Sequence, residues 1–277
     1  MRAGCSILQL FASLINKIGM SWSIRRKLLY LSVVLLAILG VVFYILYPIF
    51  KENPTCTDGK QNGNEIGIDC GGVCSNLCES QVHPVSILWQ RAFPSAQGLY
   101  DVLGYVENQN IDAGIPNLLY KFKIYDEKNV LIAERDGKTF LGPNQSSAIF
   151  EGQINVKERT PKRAFLEFED GYQWVKTDSR FEKISLSVKN KNLINASTTP
   201  QLRTTISNDS LINLKNVEVA AVVRDEDENA IAVSKTIIEN LPKQSSKEVF
   251  FTWLSPFASQ FYRVEIIPRV NPFTVSY

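Results

Sequence analysis

One histidine, His83, serves the whole 277-residue chain. It stands beside Pro84 with no serine or cysteine motif around it, so neither a Ser-His-Asp nor a Cys-His arrangement is indicated. Strings of the form G-x-G-x-x-G or G-x-x-x-x-G-K-[ST] are missing, which removes the usual phosphate-cradling loops. The densest acidic cluster, Asp225-Glu226-Asp227-Glu228, lies in a turn context and reads as a solvated loop rather than a pair of pKa-tuned carboxylates. These absences point away from an enzyme. Basic excess is lacking too. Of the 30 basic residues, five precede residue 28, where no acid stands, and the other 25 face all 28 acids. A mildly acidic remainder gives no electrostatic reason to expect a nucleic-acid partner.

Charge is wholly absent from Leu28 to Phe50, LLYLSVVLLAILGVVFYILYPIF. At ~1.5 Å per residue this run reaches roughly 35 Å as a helix, enough to cross a bilayer core of ~30 Å. It is longer than a signal-peptide h-region and ends in Tyr47-Pro48-Ile49-Phe50 rather than a small-residue cleavage site, so an uncleaved anchor in membrane lipid is expected. Arg25, Arg26 and Lys27 stand directly before it. Basic flanks stay cytoplasmic, which predicts a cytoplasmic N-terminus and an extracytoplasmic C-terminus at the cell membrane. Residues 1–27 form a basic stub in which Ile7, Phe11, Leu14, Ile15 and Ile18 have the spacing of an amphipathic helix. Cys5 reads as a free thiol. Met20 opens a complete signal-anchor sequence, so Met1 and Met20 both fit as starts.

Residues 51–82 form a predicted stalk holding four of the five cysteines, Cys56, Cys70, Cys74 and Cys78. An even count outside the cytosol reads as disulfides, with three pairings open. The segment has few apolar residues, so covalent bridges must supply its order. The C-x3-C-x3-C spacing and the lone histidine disfavour zinc. Asp58, Asn62, Asn64, Glu65 and Asp69 offer oxygen ligands between turn-forming glycines, which makes calcium the candidate metal, although the spacing is not that of an EF-hand. No other cofactor is indicated. The string C-x-D-G-x-x-N-x-x-E-x-G-x-D-C-G-G-x-C resembles a short motif recurring in bacterial and archaeal surface proteins. That resemblance implies a place beside a membrane or between domains.

From His83 the chain alternates apolar and polar residues in short runs broken by turn signals. Strands are predicted at 85–89, 99–106, 118–125, 130–133, 148–154 and 163–168. The pattern returns about a hundred residues later. Leu118, Tyr120, Phe122 and Asp126 answer to Val217, Val219, Ala221 and Asp225, and Pro143 to Pro242, all at an offset of 99. Asn108 answers to Asn208. Ordered matches of this kind argue for a duplicated domain. The second set is predicted at 184–188, 202–207, 217–223, 230–234, 248–254 and 261–267. The fold class is therefore mainly β: one transmembrane helix, then two tandem immunoglobulin-like antiparallel sandwiches at 83–176 and 177–277. Asp126 and Asp225 suit Asx turns at strand ends, and Asn108 and Asn208 sit where strands turn, so all four read as structural.

Phe122-Lys123-Ile124-Tyr125-Asp126, preceded by Gly104-Tyr105-Val106-Glu107-Asn108, resembles the signature of FxLYD domains. The second copy, Ala221-Val222-Val223-Arg224-Asp225, lacks the aromatic pair. The resemblance implies small immunoglobulin-like sandwiches on microbial extracytoplasmic proteins, often behind one membrane anchor, and no particular activity.

Trp253, Phe257, Phe261 and Tyr262 crowd the C-terminal stretch FTWLSPFASQFY. Tryptophan in sandwiches usually packs in cores, and outward-facing members of this group would make an interaction patch. Asn144, Asn195 and Asn208 fit the N-glycosylation pattern. The expectation is a single-pass surface protein presenting two interaction domains to a protein or cell-envelope partner. The alternative is an accessory subunit of a secretion or pilus-type membrane complex that meets its partners through the helix, with Gly40 as a seat for a neighbour.

Overall fold

The protein is described by a computed structural model covering residues 22–50, 55–177 and 181–275. The expected stub helix with Cys5 and Met20 falls almost wholly outside the described residues. Two compact units are present, one ending at Thr55 and one running from Cys56 to Tyr277.

Helix α1 spans Trp22–Phe50 and starts six residues before the uncharged run. Arg25, Arg26 and Lys27 therefore sit on the helix itself. Arg26 reaches back one turn and places its guanidinium 4.1 Å above the Trp22 ring, a favourable i, i+4 pair. The stretch Trp22–Leu46 contains an 18-residue window of mean hydropathy 2.7 and is long and apolar enough to cross a membrane.

The second unit is built from antiparallel strands. After β1 (Asn76–Leu77) come β2 (Ser86–Ala96), β3 (Leu99–Asn108), β4 (Ala113–Tyr125), β5 (Leu131–Leu141), β6 (Gln145–Asn155), β7 (Arg163–Phe168) and β8 (Trp174–Lys176). In the first sandwich the sheet β2-β3-β6 faces a sheet in which β4 pairs both β5 and β7. Then follow β9 (Leu186–Ile194), β10 (Gln201–Asn208), β11 (Leu214–Arg224), β12 (Ala230–Leu241), β13 (Ser246–Thr252) and β14 (Arg263–Arg269). They pair as β9-β10-β13 and β12-β11-β14, the same topology strand for strand. Each sandwich has its own core. Val102, Val106, Leu118, Phe122, Ile124 and Ile149 fill the first, and Leu202, Ile206, Val217, Val219, Ala221 and Phe251 the second.

Residues at repeated positions do identical work. Asp126 Oδ1 accepts the backbone N–H of Lys128 and of Val130, and Asp225 Oδ1 accepts those of Asp227 and Asn229. Asn108 Nδ2 donates to the carbonyls of Ala113 and Gly142, while Asn208 Nδ2 donates to those of Ile212 and Leu241. Both asparagines are 1% exposed, so each plugs a turn by satisfying buried carbonyls. That burial takes Asn208 out of the set of usable glycosylation acceptors.

Strand lengths differ from expectation: the predicted strands 85–89, 130–133, 184–188 and 230–234 run on to Ala96, Leu141, Ile194 and Leu241. The middle of β5, Glu134-Arg135-Asp136-Gly137-Lys138, lacks a period-2 apolar pattern because it lies on an exposed edge, and pairing with β4 holds it extended. The cysteine segment is also not a free-standing stalk. Its strand β1 pairs with β8, Leu77 opposite Trp174, and Leu77 packs against the first core. The segment thus ends as an added strand on the first sandwich.

Candidate binding site at the seam between the sandwiches

A third buried cluster joins the two sandwiches. Phe93, Leu103 and Ala148 on the outer face of β2-β3-β6 pack with Ala220, Val222, Ala230 and Val233 of β11 and β12, and Trp89, Tyr105, Phe150 and Ile267 border them. Alternation explains how one sheet serves two cores. On β3, Val102 and Val106 point into the first sandwich while Leu103 and Tyr105 point at the second. The repeat shows what was changed to achieve this. Lys121 and Lys123 form surface ion pairs with Asp136 and Glu167, and their counterparts in the second copy are Ala220 and Val222. The smaller inward residues Val219 and Ala221 replace Tyr120 and Phe122 on the other face of the same strand. The loss of these aromatics in the second copy therefore coincides with a strand buried on both sides.

Polar groups rim the seam. Tyr105 donates its phenolic hydrogen to Glu265 Oε1 at 2.8 Å, and Arg224 pairs with the other oxygen of Glu265 at 2.9 Å. Trp89 stacks on Tyr105 at 5.6 Å, and the Arg224 guanidinium lies over Trp89. Burial, reinforced by the bond to Glu265, pushes the Tyr105 phenol up to about 12. At the other edge Arg269 pairs with Glu218 at 2.7 Å and donates to Thr139 Oγ1 at 2.9 Å. Residues 56–277 thus fall in one compact unit, in which an apolar interface and charge-assisted bonds join the two sandwiches.

At one end the seam opens into a crevice of about 270 Å³. The β2–β3 hairpin supplies Pro94, Ala96 and Asp101, and the second sandwich supplies Ile231, Trp253 and Phe257. Trp253 is fixed by its indole N–H, which donates to the Val233 carbonyl at 3.0 Å, and Phe257 meets it edge-on at 5.3 Å. Of the aromatics singled out in the sequence, these two come together in the crevice. Phe261 lines an adjoining hollow with Phe257, and Tyr262 is 63% exposed away from both. The strand link bearing them is ten residues, 253–262, against seven, 156–162, in the first copy. The first copy there reads Val156-Lys157-Glu158-Arg159-Thr160-Pro161-Lys162, so the second link is both longer and more aromatic.

The cysteines pair as Cys56–Cys74 and Cys70–Cys78. Four of the five candidate calcium ligands, Asp58, Asn62, Glu65 and Asp69, hydrogen-bond within the segment. Asp69 accepts the backbone N–H groups of Asp58 and Gly59 at 2.9 Å each, Asp58 accepts from Lys60 and from the Asn62 amide, and Glu65 accepts from the Asn62 backbone. Asn64 is exposed. Asn62 Oδ1 is buried without a partner. Cys56, Glu65 and Cys74 lie close together, but both sulfurs are spent in the disulfide and neither is a thiolate ligand.

Sequence reading missed Asp101, Tyr105, Glu265, Arg224 and Arg269. The available signal was the second apolar face of β3, β6 and β11, seen in Leu103, Tyr105, Ala148, Phe150, Ala220 and Val222.

No protein-family model and no curated protein sequence matches the chain. Among solved structures it is similar to red sea bream transglutaminase, at 11% identity and a TM-score of 0.23, over 68% of this chain and 29% of that one. It is also similar to a β-glucuronidase from glycoside hydrolase family 2, at 10% identity and a TM-score of 0.22, over 62% and 24%. The chain spans under a third of either structure's length.

Proposed function

We propose that this chain is a single-pass membrane protein, anchored by α1 with its N-terminus in the cytoplasm, whose paired FxLYD-like sandwiches form a non-enzymatic binding module for a protein of the cell envelope. The observation that carries this reading is the 253–262 link. It is longer than its counterpart at 156–162, carries aromatics the counterpart lacks, and lines the seam crevice. Exposed apolar surface beside a cleft between domains is where partners and ligands dock. The packed seam supports it further, because a preorganised surface loses less entropy on binding than two domains on a flexible string. The basic residues Arg25, Arg26 and Lys27 support the orientation.

The test is site-specific photo-crosslinking in native membranes from Leu254, which is 73% exposed, and from Ile237 on another exposed part of the same sandwich. A partner captured from Leu254 and not from Ile237, and retained when the span is replaced by polyleucine, is the expected result. Loss of that partner with the polyleucine span would move the contact to the helix and favour the accessory-subunit reading.

A further inference from the structure

The seam crevice holds a negative charge with no counter-charge. Asp101 sits on β3 opposite Phe93, on the face turned to the second sandwich. Its Oδ1 accepts the backbone N–H of Gln153 at 2.8 Å, at an irregularity in the β3–β6 ladder where Gln153 has φ 55°. The bulge thus orients the carboxylate. The Ser95 hydroxyl donates to it as well. Among the described residues no basic side chain pairs with Asp101, and the cations of the seam are committed elsewhere. Arg91 donates to the Ala230 carbonyl, Lys235 to the Phe150 carbonyl, and Arg224 to Glu265. Burial pushes the Asp101 carboxyl up from the ordinary aspartate value, more than its two hydrogen bonds pull it down.

The other lining groups fit the same missing charge. Trp253 and Phe257 present aromatic surface to the crevice that holds Asp101, and Pro94, Ala96 and Ile231 complete apolar walls. An alkyl stem ending in a cation matches that arrangement: methylenes against the walls, charge between a carboxylate and an aromatic face. A neutral sugar would stack on the rings but leave Asp101 uncompensated.

Building on the binding-module reading, we propose that the seam crevice is a recognition site for a lysine or arginine side chain of an extended segment of the partner protein. Asp101 pairs with the ammonium or guanidinium group, Trp253 and Phe257 flank it, and the β2–β3 hairpin and the 253–262 link form the two jaws.

The experiment uses the full chain in lipid nanodiscs with 5-fluorotryptophan. The four tryptophans give four fluorine signals, and Trp253→Phe assigns the one of interest. The probes are short glycine–serine peptides with one central lysine, arginine, norleucine or glutamate. The expected result is a saturable shift of the Trp253 signal by the lysine and arginine peptides, with dissociation constants of about a millimolar. Asp101→Asn keeps an oxygen for Gln153 and is expected to weaken binding about tenfold, the scale of one hydrogen bond to a charged group. Phe257→Leu keeps apolar volume and is expected to weaken it several-fold. Equal binding of the norleucine peptide, an unchanged constant in both variants, or no saturable shift up to ~10 mM would overturn the proposal. A partner crosslinked from Leu254 without lysine or arginine binding would sink this site and leave the module reading standing. Cationic peptides bound here, with the native partner lost on the polyleucine span, would do the reverse.

Discussion

Tyr105 of the first sandwich and Glu265 of the second share a hydrogen bond of 2.8 Å although 160 residues separate them in the chain. The phenol donates, and Glu265 keeps its second oxygen for Arg224 of its own sandwich. One bond thus ties the hydrophobic seam to an ion pair at its rim.

Replacing Tyr105 with Phe removes the donor and leaves Glu265 paired with Arg224, so the cost at neutral pH is expected to be about 1 kcal/mol. The phenol is raised from 10.0 to about 12 in the folded state. Its contribution is therefore complete below the unfolded value and lost as pH rises from 10 towards 12. Denaturant melts of the parent and the Phe variant should converge across that window. Parallel curves through it would show that the bond contributes nothing.

Val222, fully buried in the seam, occupies the repeat position of the exposed-face residue Lys123. Val222→Lys restores the first copy's residue and buries an ammonium without a partner, at a cost of about 3 kcal/mol or more to the interface. The two cores lie elsewhere and are expected to survive. Limited proteolysis should then cut between 177 and 185, and small-angle scattering should show an expanded particle. Loss of both cores together would mean that the second sandwich cannot fold without the first.

Asn108→Ala strands the carbonyls of Ala113 and Gly142, and Asn208→Ala those of Ile212, Leu241 and Pro242, so each should cost about 2–3 kcal/mol. Comparable losses in thermal melts are expected from the shared role. A near-neutral change at either site would show that the turn relaxes to recover its bonds.

Asp101→Asn should stabilise the fold at neutral pH while weakening cation binding. The folded carboxyl lies above its ordinary value, so the folded state holds the proton more tightly than the unfolded chain. Its ionised form therefore costs stability at neutral pH, and the cost fades as pH falls through the raised value. A higher melting temperature for the variant at pH 7, narrowing towards pH 4, is the measurement. A variant less stable at pH 7 would mean that the Gln153 bond needs the charge.

Reduction of the two disulfides should release the cysteine segment and leave both sandwiches folded. Cys56–Cys74 spans 18 residues and Cys70–Cys78 spans 8. On the chain-entropy account, closing a loop of about 15 residues is worth ~3 kcal/mol, a large share of the order in a segment where Ile66, Ile68 and Val73 are all exposed. Hydrogen exchange should rise at Asn76–Leu77 and not in β3, β4 or β11. Protection lost in β4 would show that β1 supports the whole first sheet.

What the sequence determined is local. An uncharged run longer than a bilayer core sets the helix, because apolar length alone decides that. Period-2 alternation gives β3, β4, β7 and β10 with their inward residues, and the match of Asp126 to Asp225 and of Asn108 to Asn208 gives two copies of one sandwich. Four crowded cysteines announce disulfides, but the pairing was decided only when the turn around Asp69 brought Cys56 to Cys74. The seam was decided by tertiary structure as well. Ala220 and Val222 look like ordinary strand residues until the outer face of β2-β3-β6 is laid against them. Asp101 looks like a solvated strand carboxylate until a bulge in β6 and a loop more than 150 residues away enclose it. Alternation says which way a side chain points within its own strand. It does not say what the chain will bring to meet the outer face, because that contact depends on how two finished sheets fit each other.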